Sequence, residues 1–254
     1  MKEPKLIETE GVMYETVILG SGYFSFGYAY THKNTLIIEE TQLADPHFFG
    51  ELRGFELNCV RPTSKGGAEL YDAFLNDGVL KDGRLAVNEL ESAFCRFIKG
   101  FEPEILLGSF CTDIKKTDEG YEITVCNNEG LSRVSAHRII DTRQRGGRSL
   151  NILLALKDGK MPNVGQIAPA FYGDRAVWSV EFEGETDVNK AKSLILDTYG
   201  SLLRECGARI ITTSYRMFDK TAHEPIENEL GIEEVDENVW NTPFDAFAKG
   251  ELCK

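Results

Sequence analysis

Short apolar runs that stop at glycine or at acids set the pattern of the first forty residues. "TVIL" (16–19) ends at Gly20, and "LIIEE" (36–40) ends in two acids. Apolar runs of this length, bounded by turn signals, fit strands buried on both faces in a parallel sheet. The segment between them has room for a glycine turn and, over residues 23–32, a little more than two helical turns. The pattern therefore predicts strand, turn, helix, strand, acid. Residues 41–65 then mix Pro, Gly and both charges, which reads as a long excursion of the kind that often carries function.

Further along, residues 68–75 suggest a helix. "VNELESAFCRFIKGF" predicts a stronger one, because Val87, Leu90, Phe94, Phe97 and Ile98 recur at helical spacing, with Asn88 as a cap. "EILLG" reads as a strand. Residues 109–136 alternate apolar and polar positions around turns at "TDEG" and "NNEG", a three-stranded antiparallel meander. "HRIID" follows as another short apolar strand. Beyond Arg148 the strands "SLNILLAL", "RAVWSVEFEG" and "ARIITTSYRMF" surround an amphipathic helix with Thr186 as cap and Gly207 as stop. Trp178, Val180 and Phe182 alternate on a strand, as core residues do. The expected division is a nucleotide-binding domain over 1–147, a smaller α+β lobe over 148–238, and a C-terminal segment from 239 that returns to the first domain.

Composition narrows the function classes. The chain has 254 residues and a formal net charge of −13, which argues against a nucleic-acid backbone as partner. No apolar run reaches the roughly 18 residues of a membrane helix, and the polar N-terminus lacks a signal-peptide core, so a cytoplasmic protein is expected. Cys59, Cys95, Cys111, Cys126, Cys206 and Cys253 form no C-x-x-C pair, and the four histidines have no metal-ligand spacing; reduced thiols and no metal are expected.

The glycine turn carries the chemistry. Gly20 permits a tight exit from the strand. Gly22, without a Cβ, lets phosphates approach the backbone, and the helix that follows points free N–H groups at them. The third glycine of a dinucleotide turn is Ser25 here, and Gly27 stands out of register. An acid at the end of the next strand accepts bonds from a ribose; Glu39 has the right spacing and Glu40 is the alternative. Such an acid also disfavours a 2′-phosphate, so NADP is the least expected dinucleotide.

The order of these segments resembles the FAD-dependent oxidoreductases of the glutathione-reductase-like fold, especially short bacterial members. The segments that carry the resemblance are "VILGSGYFSFGYA", "LIIEE", "GRLAVNELESAFCRF", "EILLGSFCTDIKKTDEGYEITV" and "HRIIDTRQRGG", which cover most of residues 15–147. The resemblance implies an α/β, Rossmann-like FAD/NAD(P)-binding domain with an antiparallel β-meander, plus the smaller α+β lobe. It implies FAD as cofactor, with Gly20, Gly22 and Ser25 facing the pyrophosphate and Glu39 on the adenosine ribose. It places Cys111 against adenine and Asp141 and Thr142 at the end of the returning strand. A late segment, "NTPFDAFAKG", is expected to come back near the flavin. Where the family usually has Ala-Thr-Gly, this chain has "DTRQ" (141–144), and its first helix is about one turn short.

Two functions follow. The first is a flavin-dependent oxidoreductase that transfers hydride from an unidentified small molecule to FAD and is re-oxidised by an external acceptor; an oligomer is open. Its catalytic groups are unknown, and Tyr172, Tyr215, Arg216 and His223 are candidates by type and location. His47 reads as a packing or turn residue, Arg53 as a surface ion pair, and "RQRGGR" (143–148) as a solvated loop or an anion site. The second is a non-catalytic member that keeps the fold as a binding or partner subunit, which the altered "DTRQ" and the short helix support.

Overall fold

The structure is a computed structural model and describes residues 6–7, 12–53, 58–143, 147–184, 187–218 and 226–254. In chain order the elements are β1 (Leu6–Ile7), β2 (Met13–Leu19), α1 (Tyr23–Thr31), β3 (Thr35–Glu39), α2 (Lys65–Asn76), β4 (Leu80–Lys81), β5 (Arg84–Leu85), α3 (Leu90–Ile98) and β6 (Glu104–Leu107). The meander follows as β7 (Phe110–Thr117), β8 (Gly120–Asn127) and β9 (Gly130–Asp141). The second lobe holds β10 (Ser149–Ala155), β11 (Gln166–Pro169), β12 (Arg175–Glu181), α4 (Val188–Cys206) and β13 (Arg209–Thr213). The chain closes with β14 (Ile226–Glu227), β15 (Glu233–Glu234) and α5 (Pro243–Leu252).

The predicted strand–turn–helix–strand is present. β2 lies between β3 and β9, parallel to both, with Val17, Ile18 and Leu19 fully buried. Burial on both faces explains why "TVIL" does not alternate. One expectation is corrected: the third meander strand and "HRIID" are one strand. The first half of β9 pairs antiparallel with β8, and its second half pairs parallel with β2, so a single strand joins the meander to the parallel sheet.

Helix starts differ in detail from the expected ones. α2 begins at Lys65, earlier than residue 68, and is capped by Ser64, whose side chain accepts the Gly67 N–H. Asn88 does not cap α3; it sits inside a short 3-10 turn (Val87–Glu89) that feeds the helix. Thr186 lies outside the described residues, and α4 is capped by Asp187, which accepts the Asn189 N–H. Its end is as expected, with Gly207 left-handed at φ 73°.

The second lobe is the antiparallel sheet β11-β12-β10-β13 with α4 packed on it, Trp178 and Tyr199 meeting edge to face. The chain rejoins the larger sheet at β15, which pairs parallel with β9, earlier than position 239. α5 then packs along α1. Thr242 caps it by accepting the Asp245 N–H at 3.1 Å, and Pro243 occupies the first turn.

Gly27 finds its role in this helix pair. A Cβ on Gly27 would collide with the Phe247 carbonyl, and one on Gly250 would collide with the Phe24 carbonyl. The two helices thus touch backbone to backbone through reciprocal glycines. Gly27→Ala or Gly250→Ala is expected to lower stability by roughly 1–3 kcal/mol, the usual cost of overpacking a close contact. Urea denaturation measures this; an unchanged midpoint would mean the helices are not in this contact.

Candidate functional site

Three strand ends define the site. β2, β3 and β9 all finish at one edge, and the chain leaves them as Gly20, Glu39 and Thr142. Gly20 has φ 97°, a left-handed value that a side chain would strain, and its N–H bonds to the Ile38 carbonyl at 2.8 Å. A Cβ there would also lie 2.7 Å from Thr142 Oγ1. Ser25 replaces the third glycine without opening the turn: its hydroxyl donates to the Gly20 carbonyl at 3.0 Å. Thr142 closes the same web, its hydroxyl 3.3 Å from Ser25 Oγ and 3.2 Å from the Leu19 carbonyl. The turn is therefore held by side-chain bonds where a glycine would allow bare backbone contact.

Glu39 is buried and bound to the turn itself. Ser21 N–H donates to Oε2 at 2.7 Å and Thr41 N–H to Oε1 at 2.7 Å, with the Ser21 hydroxyl at 3.1 Å. Each carboxylate oxygen has two lone-pair directions, so Oε1 keeps one for a ribose hydroxyl. Glu40 points the other way, exposed, as strand alternation requires. Its partner is Arg143, which lies across the strand ends and forks onto Asp141, Nε to Oδ1 at 2.9 Å and Nη2 to Oδ2 at 2.8 Å. That bidentate bond holds the guanidinium charged, above its ordinary range. Cys111 is half-buried nearby on β7, its thiol pushed up by burial. All eight residues expected at the cofactor thus gather at this edge. The basic segment 144–146 lies outside the described residues.

The structure adds a second group that the sequence did not mark. The excursion after β3 folds into the core, with Phe48 fully buried against Tyr23. Glu91 on α3 accepts the N–H groups of Ala44 and Asp45 at 2.7 and 2.9 Å, and Asp45 in turn accepts those of Phe48 and Phe49 at 2.8 and 3.0 Å. Glu51 is fully buried and takes Arg216 Nε at 2.8 Å, with Arg53 at 3.5 Å. Arg216 Nη2 sits 3.1 Å from His47 Nδ1. The Tyr215 ring fills the space over Gly50. His47 is a packing histidine, as expected. Arg53 is a half-shielded ion pair, not a surface one.

Of the four catalytic candidates, Tyr215 and Arg216 are brought to this buried cluster. Tyr172 stands elsewhere: its hydroxyl donates to Glu89 at 2.5 Å, and it lines an open cavity of about 570 Å³ beside Lys81, Arg84 and Phe171. His223 lies outside the described residues.

Glu237 was not foreseen at all. It opens a short 3-10 turn (Glu237–Val239) between β15 and α5 and is fully buried. Its carboxylate stands over the start of α1. A Cβ built on Gly22, the residue that begins that helix, would lie 2.5 Å from Oε2 and about as close to Oε1. Neither oxygen has a hydrogen-bond partner of good geometry, and the Phe24 N–H is the backbone donor that favours its charge. Asp45 and Glu51 oppose that charge and Arg53 favours it.

Burial dominates the electrostatics here. It pushes Asp45 up to about 7, helped by Glu91, and raises Glu51 against the pull of Arg216 and Arg53. It raises Glu237 well above the ordinary carboxylate range, with Asp45 adding to the effect. His47 is driven well down by burial and by the two arginines, so it stays neutral.

No family model matches the sequence, and no curated protein matches it. Solved structures do match. One is p-nitrophenol 4-monooxygenase PnpA from Pseudomonas putida, at 10% identity and TM-score 0.55, over 88% of this chain and 72% of that one. Another is aklavinone-11 hydroxylase in a ternary complex with FAD and aklavinone, at 12% identity and TM-score 0.53, over 93% and 60%. A third is a flavoprotein/dehydrogenase from Cytophaga hutchinsonii, at 12% identity and TM-score 0.51, over 94% and 76%. At these identities the likeness shows the fold these structures share, α/β with the meander and the second lobe. The chain spans 52% of the length of OxyS anhydrotetracycline hydroxylase from Streptomyces rimosus, so it is little more than half of some chains that share the fold. Among the described residues no helix is long and apolar enough to cross a membrane.

The buried acids make stability depend on pH in a stated direction. In the folded chain Asp45 keeps its proton up to about 7, whereas its ordinary value is 3.8. The folded state then binds more protons than the unfolded state between about 4 and 7, so stability falls as pH rises through that window. Glu51 and Glu237 act with the same sign; His47, held neutral when folded, acts with the opposite sign as pH rises toward its ordinary 6.5 and offsets part of the effect. Unfolding free energies from urea melts are expected to be higher at pH 5 than at pH 8, by on the order of a few kcal/mol. Asp45→Asn, whatever its absolute stability, is expected to flatten that slope; an equal slope would show that Asp45 titrates normally.

Proposed function

We propose that this chain is a flavin-dependent oxidoreductase that holds FAD along its glycine turn and acts on a small molecule. The observation that carries the reading is the turn itself. Gly20 leaves a central parallel strand at positive φ, Gly22 opens a helix without a Cβ, and Glu39 stands buried at the end of the neighbouring strand. That is the arrangement a dinucleotide's pyrophosphate and ribose require.

FAD, when bound, would supply the hydride-accepting chemistry, so the protein needs to orient a substrate and manage one proton. Gly20, Gly22 and the α1 start would take the pyrophosphate, and Glu39 Oε1 a ribose hydroxyl. Cys111, Glu40 and the Asp141–Arg143 pair would border the adenosine end. In this reading Arg216, held by Glu51 and His47, and Tyr215, whose N–H bonds to the Gly50 carbonyl, would be the second-lobe groups that meet a substrate. The electron acceptor is external in this reading, and the protein is a cytoplasmic one.

A specific observation favours a second reading, in which the chain keeps the fold as a binding or partner subunit. The seat over Gly22 is filled by the Glu237 carboxyl, which occupies the space a pyrophosphate would need.

Titration of FAD into the full chain at pH 8, followed by flavin fluorescence, separates the two. Saturable binding supports the first reading, and none up to millimolar FAD overturns it. Glu39→Ala is expected to weaken binding by about tenfold or more, since it removes a charge-assisted acceptor and frees the Ser21 N–H. Glu40→Ala is expected to change it little. A larger loss at 40 than at 39 would mean that the ribose faces the other side of the strand.

A further inference from the structure

The start of α1 is a buried helix N-terminus whose free N–H groups ask for an anion. α1 is nine residues long, and its first residue boundary is Gly22. A separate observation marks what now occupies that place. The Glu237 carboxylate is fully buried, lacks a good hydrogen-bond partner at either oxygen, and is aimed at Gly22 and the Phe24 N–H.

From this we infer that Glu237 is an internal competitor for the phosphate seat, so that a dinucleotide binds only when this carboxylate swings out. The inference deepens the flavin reading above and rests on the turn being a phosphate seat. Its geometry is built from both sides. β15 pairs with β9, Val235 N–H bonding to the Asp141 carbonyl at 2.8 Å, and α5 is locked to α1 through Gly27 and Gly250. The short turn between them has little choice of position, and Trp240 at its end stacks on Phe24 at 5.2 Å. The seat is thus covered by a segment clamped at both ends, with one side chain in the place of the ligand.

The exchange also moves a proton. Glu237 faces Tyr23 and the Phe24 N–H on α1, and Asp45, Glu51 and Arg53 on the excursion. Burial, aided by Asp45 and Glu51, favours its protonated form there; expelled into water it is an ordinary carboxylate and gives the proton up. Binding that expels it therefore releases a proton and strengthens as pH rises, by up to about tenfold per unit. Asp45 stays on its two N–H partners and works in the opposite direction, because a nearby phosphate favours its protonated form. The difference between wild type and a Glu237 variant isolates the Glu237 part.

The experiment titrates FAD, and separately inorganic pyrophosphate, into wild type, Glu237→Ala and Glu237→Gln between pH 6 and pH 8. FAD is followed by fluorescence and pyrophosphate by its effect on thermal unfolding. Glu237→Ala is expected to bind FAD at least tenfold more tightly than wild type at pH 6, with the gap closing toward pH 8. Glu237→Gln keeps the bulk without the proton, so its FAD affinity is expected to lack the rise with pH. Pyrophosphate is expected to raise the unfolding temperature of the Ala variant and not that of wild type. Equal FAD affinity and equal pH dependence in wild type and Ala would overturn the competition and leave the flavin reading standing. Pyrophosphate protection of the Ala variant alone, with no FAD binding to any form, would uphold the competition and overturn the flavin reading. No binding of either probe to any variant would overturn both.

Discussion

A buried helix start leaves N–H groups that need an acceptor, and much of this fold is arranged around that demand at α1. Gly22 has no side chain above the first turn, and the residues around it are buried. The neighbouring elements fix what fills that space instead. β9 joins the meander to the central sheet and receives β15, and α5 lies against α1 with no Cβ between them. The turn that joins β15 to α5 therefore comes down on Gly22, and it delivers an acid.

That acid joins others. Asp45, Glu51 and Glu237 are all fully buried, and Glu91 and Glu39 lie close enough to be felt by their neighbours. The chain does not hold these charges by burying an equal number of cations. It keeps Asp45 and Glu91 on backbone N–H groups, gives Glu51 two arginines, and leaves Glu237 to the α1 start. Burial raises their affinity for protons, so the net charge of −13 overstates the charge of the interior. The second lobe is tied to this interior by polar bonds and by a small apolar cluster of Leu52 with Leu153, Ala170 and Val177. Asn151 donates to the Glu51 and Leu52 carbonyls at 3.0 and 3.1 Å, and Arg216 reaches Glu51 and His47.

The parallel core was legible because its signal is local: a strand buried on both faces shows as an unbroken apolar run, and its end shows as glycine or acid. The turn was legible for the same reason, and so were Glu39 and its contrast with Glu40. β9 was split in two because its period changes where its neighbours change from antiparallel to parallel, which a sequence records as two strands. Gly27 looked out of register because its partner is α5, more than two hundred residues away. Glu237 had no local mark. One acid among 41 acidic residues, in the acidic run "EEVDEN", reads as solvated; only the pairing of β15 with β9 and the locking of α5 on α1 make it buried. Asp45 and Glu51 were hidden in the polar excursion in the same way, since their burial comes from Phe48 entering the core.

The most direct measurement is a crystal structure of the full chain grown with FAD above pH 8. The account predicts a pyrophosphate over Gly22 at the first turn of α1, a ribose hydroxyl on Glu39, and the Glu237 side chain displaced from its present position. FAD bound with Glu237 still packed on Gly22, or bound away from residues 20–25, would contradict it.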